Sequence, residues 1–330
     1  MSDAGYIAQV VTLYWTVSIC MVYLNKVLLS SEDASIPAPM FVTWFQCVVT
    51  ALICVVLGNM GERTRKEGRS SFLNDYPVCK YNSETGIRVL PLSLIFVGMI
   101  AFNNICLKHV EVSFYNVARS LSIVFNVLFT YLVLGKETSV MTCSTLLIVI
   151  FGFYLGIDGE INLSVIGTAA GVLASVFVSL NGIYTAKILP AVNNDKSMLL
   201  FYNNINASFL FIPFIILFEG QTIVDNATKL VSLVFWSGMV MSGLMGFGIG
   251  LVTVMQVRAT SPLTHNISGT AKAAFQSLMA FYIWGNEYTF NGIAGIFLVI
   301  FGSGLYTYVQ MQKPAKKSEV LPSADTGSKQ

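Results

Sequence analysis

The 330 residues are 55% hydrophobic and only 11% charged, with a mean hydropathy of +0.69. That balance excludes a soluble domain of this length and puts the chain among polytopic membrane proteins. The net charge of +2 carries no message by itself, and no nucleic-acid partner is expected. The six cysteines are scattered, with Cys79 in a polar loop and the rest in apolar runs, so neither a disulfide framework nor metal-ligand spacing is expected.

Apolar runs of bilayer-spanning length can be placed at Tyr6–Leu29, Pro39–Gly58, Ile87–Leu107, Val112–Leu134 and Ser139–Ile157. Five more follow at Ser164–Lys187, Met198–Phe218, Leu230–Met255, Pro262–Trp284 and Thr289–Met311. The expected fold is all-α, with ten transmembrane helices. The first run has no basic residues before it and is long enough to stay in the bilayer, so it reads as a span and not as a cleaved signal. Most connections are short. The exception is Gly61–Gly86, a polar loop holding Arg63, Arg65, Lys66, Arg69 and Lys80, and the Lys/Ser/Pro-rich stretch after Lys313 reads as a disordered tail.

Basic residues divide unequally between the two sides of the membrane. The side shared by the even-numbered connections and the C-terminal tail has fourteen Lys/Arg, and the other has three, Lys26, Lys108 and Lys229. Both termini are therefore expected to be cytosolic. The sequon Asn226-Ala-Thr228 then falls on the lumenal side, close to the membrane.

Sliding the chain along itself by 150 residues aligns Leu134-Gly-Lys-Glu137 with Trp284-Gly-Asn-Glu287, and Val149-Ile-Phe-Gly152 with Val299-Ile-Phe-Gly302. The same offset pairs Asn116 with Asn266, Arg119 with Gly269 and Ser122 with Lys272. A second offset pairs Val17-Ser18, Tyr23, Lys26 and Leu28 with Val178-Ser179, Tyr184, Lys187 and Leu189. The repeat unit is thus five helices, residues 1–160 and 161–312, followed by the tail 313–330. An odd number forces the halves to enter the membrane in opposite directions, the inverted-repeat plan of secondary transporters, with a site near the midplane.

Two cations lie deep in apolar runs: Arg119 in Phe114-Tyr-Asn-Val-Ala-Arg-Ser-Leu-Ser122 and Lys272 at the end of Ser261-Pro-Leu-Thr-His-Asn-Ile-Ser-Gly-Thr-Ala-Lys272. No acidic residue sits deep in any apolar run to neutralise them. Isolated intramembrane charge costs a few kcal/mol, so an anionic ligand is expected, although bonding to backbone carbonyls is the bland alternative. The planar guanidinium suits bidentate phosphate contact and the lysine adds a point charge, a combination that matches a diphosphate. Lys26 and Lys187 sit at helix ends, where a solvated head is expected. His265, beside Asn266, reads as a proton carrier or as a packing histidine. Phe201-Tyr-Asn-Asn-Ile-Asn206 gathers three amides in an otherwise apolar helix. Asn203 and Asn204 could read a base edge with Tyr202 stacked on it, or glue helices together. Glycines in Gly152-Phe-Tyr-Leu-Gly156 and at Gly243, Gly246, Gly248 and Gly250 read as packing or hinge positions. An enzyme of diphosphate chemistry would need paired acidic residues, and no Asp-x-Asp occurs.

Phe201-Tyr-Asn-Asn204, together with a ninth helix whose motif ends in Lys272, resembles the nucleotide-sugar transporters of the drug/metabolite transporter superfamily. The resemblance runs from Leu13 to Tyr308 and is most specific in Ser18-Ile-Cys-Met-Val-Tyr-Leu-Asn-Lys26, Phe114–Leu121 and Ser261–Lys272. It implies that Asn203 and Asn204 recognise guanine, that Lys272 meets the phosphates and that Tyr14 lines the sugar end. GDP-mannose carriers have Gly-Ala-Leu-Asn-Lys where this chain has Ser268-Gly-Thr-Ala-Lys272, which favours fucose over mannose. The implied activity is alternating-access exchange of GDP-fucose for GMP in the Golgi membrane, with another GDP-sugar or a UDP-sugar as the competing cargo. Expected site residues are Tyr14, Asn116, Arg119, Tyr202, Asn203, Asn204, Asn266, Gly269, Thr270 and Lys272, with no cofactor. Expected partners are GDP-fucose, GMP and the lipid bilayer, with a second copy of the chain as a further candidate.

Overall fold

The computed structural model describes residues 3–30, 36–68, 76–135, 139–158, 164–259, 268–269, 271–273, 275–276, 279 and 289–312. Regular structure in these residues is all helical: α1 (Asp3–Ser30), α2 (Pro39–Lys66), α3 (Ser83–His109), α4 (Val112–Leu134), α5 (Val140–Asp158), α6 (Val165–Ile188) and α7 (Lys196–Phe214). A π-helical turn (Ile215–Glu219), the short α8 (Gly220–Asp225), α9 (Leu233–Ala259) and α10 (Phe290–Met311) follow. The described residues between 268 and 279 are helical as well. Among the described residues, eight helices are long and apolar enough to cross a membrane. α4, whose apolar run holds Asn116, Arg119 and Asn126, is not among those eight. Large apolar side chains such as Leu147, Phe151, Phe209 and Phe297 are exposed. In water this would be an aggregation surface, and on a bundle of apolar helices it is the lipid face.

Helix boundaries follow local chemistry. Asn82, Ser164, Asp195 and Thr289 each accept a hydrogen bond from a backbone N–H in the first turn of α3, α6, α7 and α10. Gly135 ends α4 in the left-handed conformation, at φ 61°. α7 departs from the predicted end at Phe218. Pro213 lacks an N–H, and the helix passes into the π turn at Ile215. That turn carries Glu219, buried at 6% exposure, one residue beyond the predicted span. α2 begins with no side-chain cap at Ala38. Instead, Glu219 accepts from the backbone N–H of Met40 (Oε1, 2.8 Å) and of Phe41 (Oε2, 2.9 Å). A carboxylate at a helix N-terminus satisfies orphan donors and the helix dipole together. Glu219→Ala is expected to cost about 1–2 kcal/mol, on the scale of a lost cap. The check is thermal unfolding in detergent, where an unaltered Tm would contradict the capping role.

The helices pair as α5 with α10, α3 with α6 and α7, α4 with α6, α2 with α7 and α9, and α1 with α9. The α5–α10 contact is the closest, because Gly152, Gly295 and Gly302 let the two backbones meet, while the bare side of Gly156 faces Val117 of α4. A Cβ built on Gly295 would lie 2.6 Å from the Gly156 nitrogen. Gly243 likewise faces Val49, whereas Gly250 has open space around it, so the glycine series of α9 divides between packing and bare positions.

Between α2 and α3, residues 76–82 tuck against α7. The Tyr202 hydroxyl donates to the Lys80 carbonyl (3.0 Å) and accepts from Asn82 N–H (3.1 Å), and the Tyr81 hydroxyl donates to Asn206 Oδ1 (3.0 Å). Burial, reinforced by the Asp195 carboxylate, pushes the Cys79 thiol up to about 11. Its thiolate is therefore scarce at neutral pH. With the other cysteines removed, labelling of Cys79 by a thiolate-specific reagent should rise about ten-fold per pH unit from pH 7 to 10. A plateau near pH 9, as for an ordinary thiol, would contradict it.

Candidate functional site: a cationic cavity

Arg119 projects from the middle of α4. One turn earlier on the same face stands Tyr115, whose hydroxyl accepts from Arg119 Nη1 (3.1 Å) and donates to Asn103 Oδ1 of α3 (3.1 Å). Asn103 is oriented in turn by donating from Nδ2 to the Met99 carbonyl (2.9 Å). Among the described residues the guanidinium is thus held on one side and has donors left over on the others. It is surrounded by protein yet remains accessible, the combination found in a residue lining an internal cavity.

Lys272 comes to the same place from the 268–279 segment. Its Nζ donates to Ser18 Oγ (2.5 Å) and lies 5.3 Å above the ring of Tyr14, both on α1. The segment is fixed there through Ser268. Its hydroxyl accepts from Trp15 Nε1 (2.7 Å) and from Gln256 Nε2 of α9 (2.9 Å), and the rings of Trp15 and Phe275 sit 6.1 Å apart. The Arg119 charge acts on both Lys272 and Tyr14, so the structure gathers the two cations and the tyrosine into one electropositive group. Among the described residues neither cation makes an ion pair. The salt bridges found there, Lys66–Glu62 and Arg88–Glu84, are exposed. Nor do the described residues hold a cluster of three His, Cys, Asp or Glu that could bind a metal. An anion is the ligand such a group can hold.

Beside Arg119 opens a cavity of about 170 Å³ between α4, α10 and the 268–279 segment. Asn116 and Gly269, both candidates from the sequence, line it, and so does Ser303, which was not singled out. Asn266, Thr270 and His265 lie outside the described residues. Lys187 is exposed, with its amine 5.6 Å from the ring centre of Tyr184, in accord with a solvated head.

The amide cluster of α7 forms a separate group, and none of Tyr202, Asn203 and Asn204 lines the cavity beside Arg119. Asn203 Oδ1 accepts from Ser93 Oγ of α3 (3.0 Å), Asn204 Nδ2 donates to the Leu200 carbonyl (2.8 Å), and Asn206 Nδ2 donates to the Gly86 carbonyl (2.9 Å). Asn206 is therefore helix glue. Tyr202 departs from the stacking expectation in this structure: it is 3% exposed, its hydroxyl is used twice on the 80–82 backbone, and its ring is packed between Tyr81 and Phe201. Asn203 retains its amide N–H₂ after the Ser93 contact, and Asn204 retains its carbonyl oxygen. Sequence reading passed over Trp15, Ser93, Gln256 and Ser303, because a lone polar residue in an apolar helix is ordinarily packing.

Several known proteins resemble nearly the whole chain. A mouse protein named GDP-fucose transporter 1 is 46% identical over 98% of this chain and 88% of its own length. The GDP-fucose transporter of Caenorhabditis elegans is 46% identical over 96% and 86%, and a Drosophila melanogaster protein named "GDP-fucose transporter, Golgi" is 38% identical over 96% and 93%. A solved crystal structure only 13% identical in sequence superposes with a TM-score of 0.54, covering 94% of this chain and 99% of that one, and shares the fold alone. Residues 6–307 match the family model described as the Triose-phosphate Transporter family, and the chain belongs to that family of multi-span membrane transporters.

Proposed function

We propose that this chain is an antiporter that brings cytosolic GDP-fucose into the Golgi lumen and returns GMP. The observation that carries the reading is the pairing of Arg119 with Lys272, two cations gathered in the bundle with no carboxylate to neutralise them among the described residues. The near full-length relatives named as GDP-fucose transporters supply the cargo, and the Drosophila relative supplies the compartment. Empty, a cavity with two uncompensated charges resists reorientation across the membrane; loaded with a nucleotide phosphate, it is charge-satisfied. Arg119 takes the diphosphate bidentately, Lys272 adds a point charge, and Tyr14 lies at the sugar end. The spare amide groups of Asn203 and Asn204 face the guanine edge, with Tyr202 holding the base of α7 in register.

Alternating access follows from two inverted five-helix repeats, 1–160 and 161–312. The helix pairings support this plan. Replacing each span by the one five spans later turns α3–α6 into α9–α1 and α3–α7 into α9–α2, and returns α2–α7 and α5–α10 to themselves. The excess of basic residues on one side supports cytosolic termini.

In liposomes loaded with labelled GMP, external GDP-fucose should accelerate efflux and UDP-galactose should not. Equal acceleration by GDP-mannose would move the cargo to GDP-sugars in general, and indifference to every guanine nucleotide would overturn the proposal. Asn203→Ala is expected to reduce the preference for GDP over UDP as competitors by about ten-fold, the scale of losing a base-edge hydrogen bond in a dry site. An unchanged ratio of inhibition constants would contradict the base-reading role.

A further inference from the structure

A hydrogen-bonded amide has a direction, and in α7 that direction is set from a neighbouring helix. Ser93 of α3 is fully buried, and its Oγ lies 3.0 Å from Asn203 Oδ1 and 3.4 Å from the Val89 carbonyl. A hydroxyl has one proton, and the shorter contact takes it. The carbonyl end of Asn203 is therefore the end turned to Ser93. Asn204 is held the opposite way, with Nδ2 donating to the Leu200 carbonyl (2.8 Å). What remains is the Asn203 N–H₂ as a donor and Asn204 Oδ1 as an acceptor, on adjacent residues. Among the described residues neither atom has a hydrogen-bond partner, and neither is shut away from open space. Asn206 differs, since Tyr81 and the Gly86 carbonyl use both of its ends. α2 and α9, which the proposed repeat matches to α7 and α3, provide the contrast. There Gln46 turns its nitrogen to Ser242 Oγ (2.5 Å) and to Asn25 Oδ1 (3.0 Å), so its donors are used.

We propose that Ser93 is a positioning residue for base choice: by holding the Asn203 carbonyl, it leaves the amide N–H₂ as the group offered to the base. The inference rests on the guanine-nucleotide reading above and adds what fixes the sense of the readout. Guanine and hypoxanthine present O6 as an acceptor beside the N1–H donor, whereas adenine presents a 6-amino donor beside an N1 acceptor. A donor from Asn203 and an acceptor from Asn204 match the first order. Against the second, donor meets donor and acceptor meets acceptor, and both partners keep desolvated, unpaired groups. An asparagine amide reverses its pattern by a half-turn about its last bond, so the residue type alone does not choose the purine. Ser93 makes the choice, because a turned amide would push the hydroxyl proton onto the 3.4 Å contact with the Val89 carbonyl.

The test measures how external GMP, IMP and AMP inhibit uptake of labelled GDP-fucose into GMP-loaded proteoliposomes of the full-length protein. IMP and AMP differ in the order of donor and acceptor across C6 and N1, and GMP differs from IMP only in the 2-amino group. Ser93→Ala should narrow the preference for IMP over AMP about five-fold, equivalent to one hydrogen bond of about 1 kcal/mol, and keep the wild-type preference for GMP over IMP. Ser242→Ala removes the matching hydroxyl in the other half and should change neither ratio. Adding Ser93→Ala to Asn203→Ala should narrow the IMP preference no further, because Ser93 works through that amide. A GMP-dependent thermal shift in detergent reports that each variant is folded and binds nucleotide. An unchanged IMP-to-AMP ratio in Ser93→Ala, an equal loss in Ser242→Ala, or a further loss on the Asn203→Ala background would overturn the proposal while guanine-nucleotide exchange stands. So would a Ser93→Ala variant that no longer binds GMP, which would assign the hydroxyl to the packing of α3 on α7. Wild-type protein that does not distinguish IMP from AMP would overturn the guanine reading itself.

Discussion

Arg119→Ala is expected to lower GDP-fucose exchange on the order of a hundred-fold or more, the scale at which desolvated charge contacts of about 2–5 kcal/mol are lost. The bundle should still fold, because among the described residues the guanidinium bonds a single side chain, that of Tyr115. Arg119→Lys keeps the charge and gives up the bidentate fork. It should fall between the wild type and alanine, with the larger effect on binding of the diphosphate than of GMP. Lys272→Ala should lose transport similarly, since its amine is held at the site by Ser18 and the Tyr14 ring and has no ion pair among the described residues. Uptake assays on protein matched for surface amount check both variants. Wild-type rates in either would reduce that cation to a packing role.

Gly295→Leu should damage the protein at its folding step and not at its site. The Cβ of any larger residue here would meet the backbone of α5, with Gly156 N at 2.6 Å and Gly152 O at 2.8 Å. Backbone cannot swing aside as a side chain can, so α10 must move away from α5. Even one methyl is expected to cost about 1–3 kcal/mol, and leucine more. Gly304→Ala is the internal comparison, on the same helix with no neighbouring atom within 4 Å, and should change the Tm little. Equal melting temperatures for Gly295→Leu and Gly304→Ala in detergent would contradict the close approach described here.

Spans were easy to read because a bilayer admits only long apolar helices, and several ends carry a residue with its own reason to stop or start: Ser164, Asp195, Thr289 and Gly135. The cations were legible for the same reason, since charge stands out in hydrocarbon. Glu219 was not. It falls one residue past the apolar run, and a π turn after Pro213 brings it back under α2, a displacement that neither hydropathy nor spacing encodes. The role of Tyr202 was obscured differently. An aromatic beside two amides has one composition whether it meets a base or the 80–82 backbone, and only the fold of that loop decides between them. Ser303 was invisible because serine in an apolar helix usually bonds its own backbone, as Ser144 and Ser208 do.

Obligatory exchange is the central claim, because it follows from two cations that cannot cross empty. The direct measurement is initial uptake of labelled GDP-fucose into liposomes containing the purified protein, with GMP inside or with no nucleotide inside. The account predicts saturable uptake in the GMP-loaded vesicles and background in the empty ones. Comparable uptake into both would mean that the unloaded carrier reorients freely, and that the charges of Arg119 and Lys272 are neutralised by something other than the nucleotide.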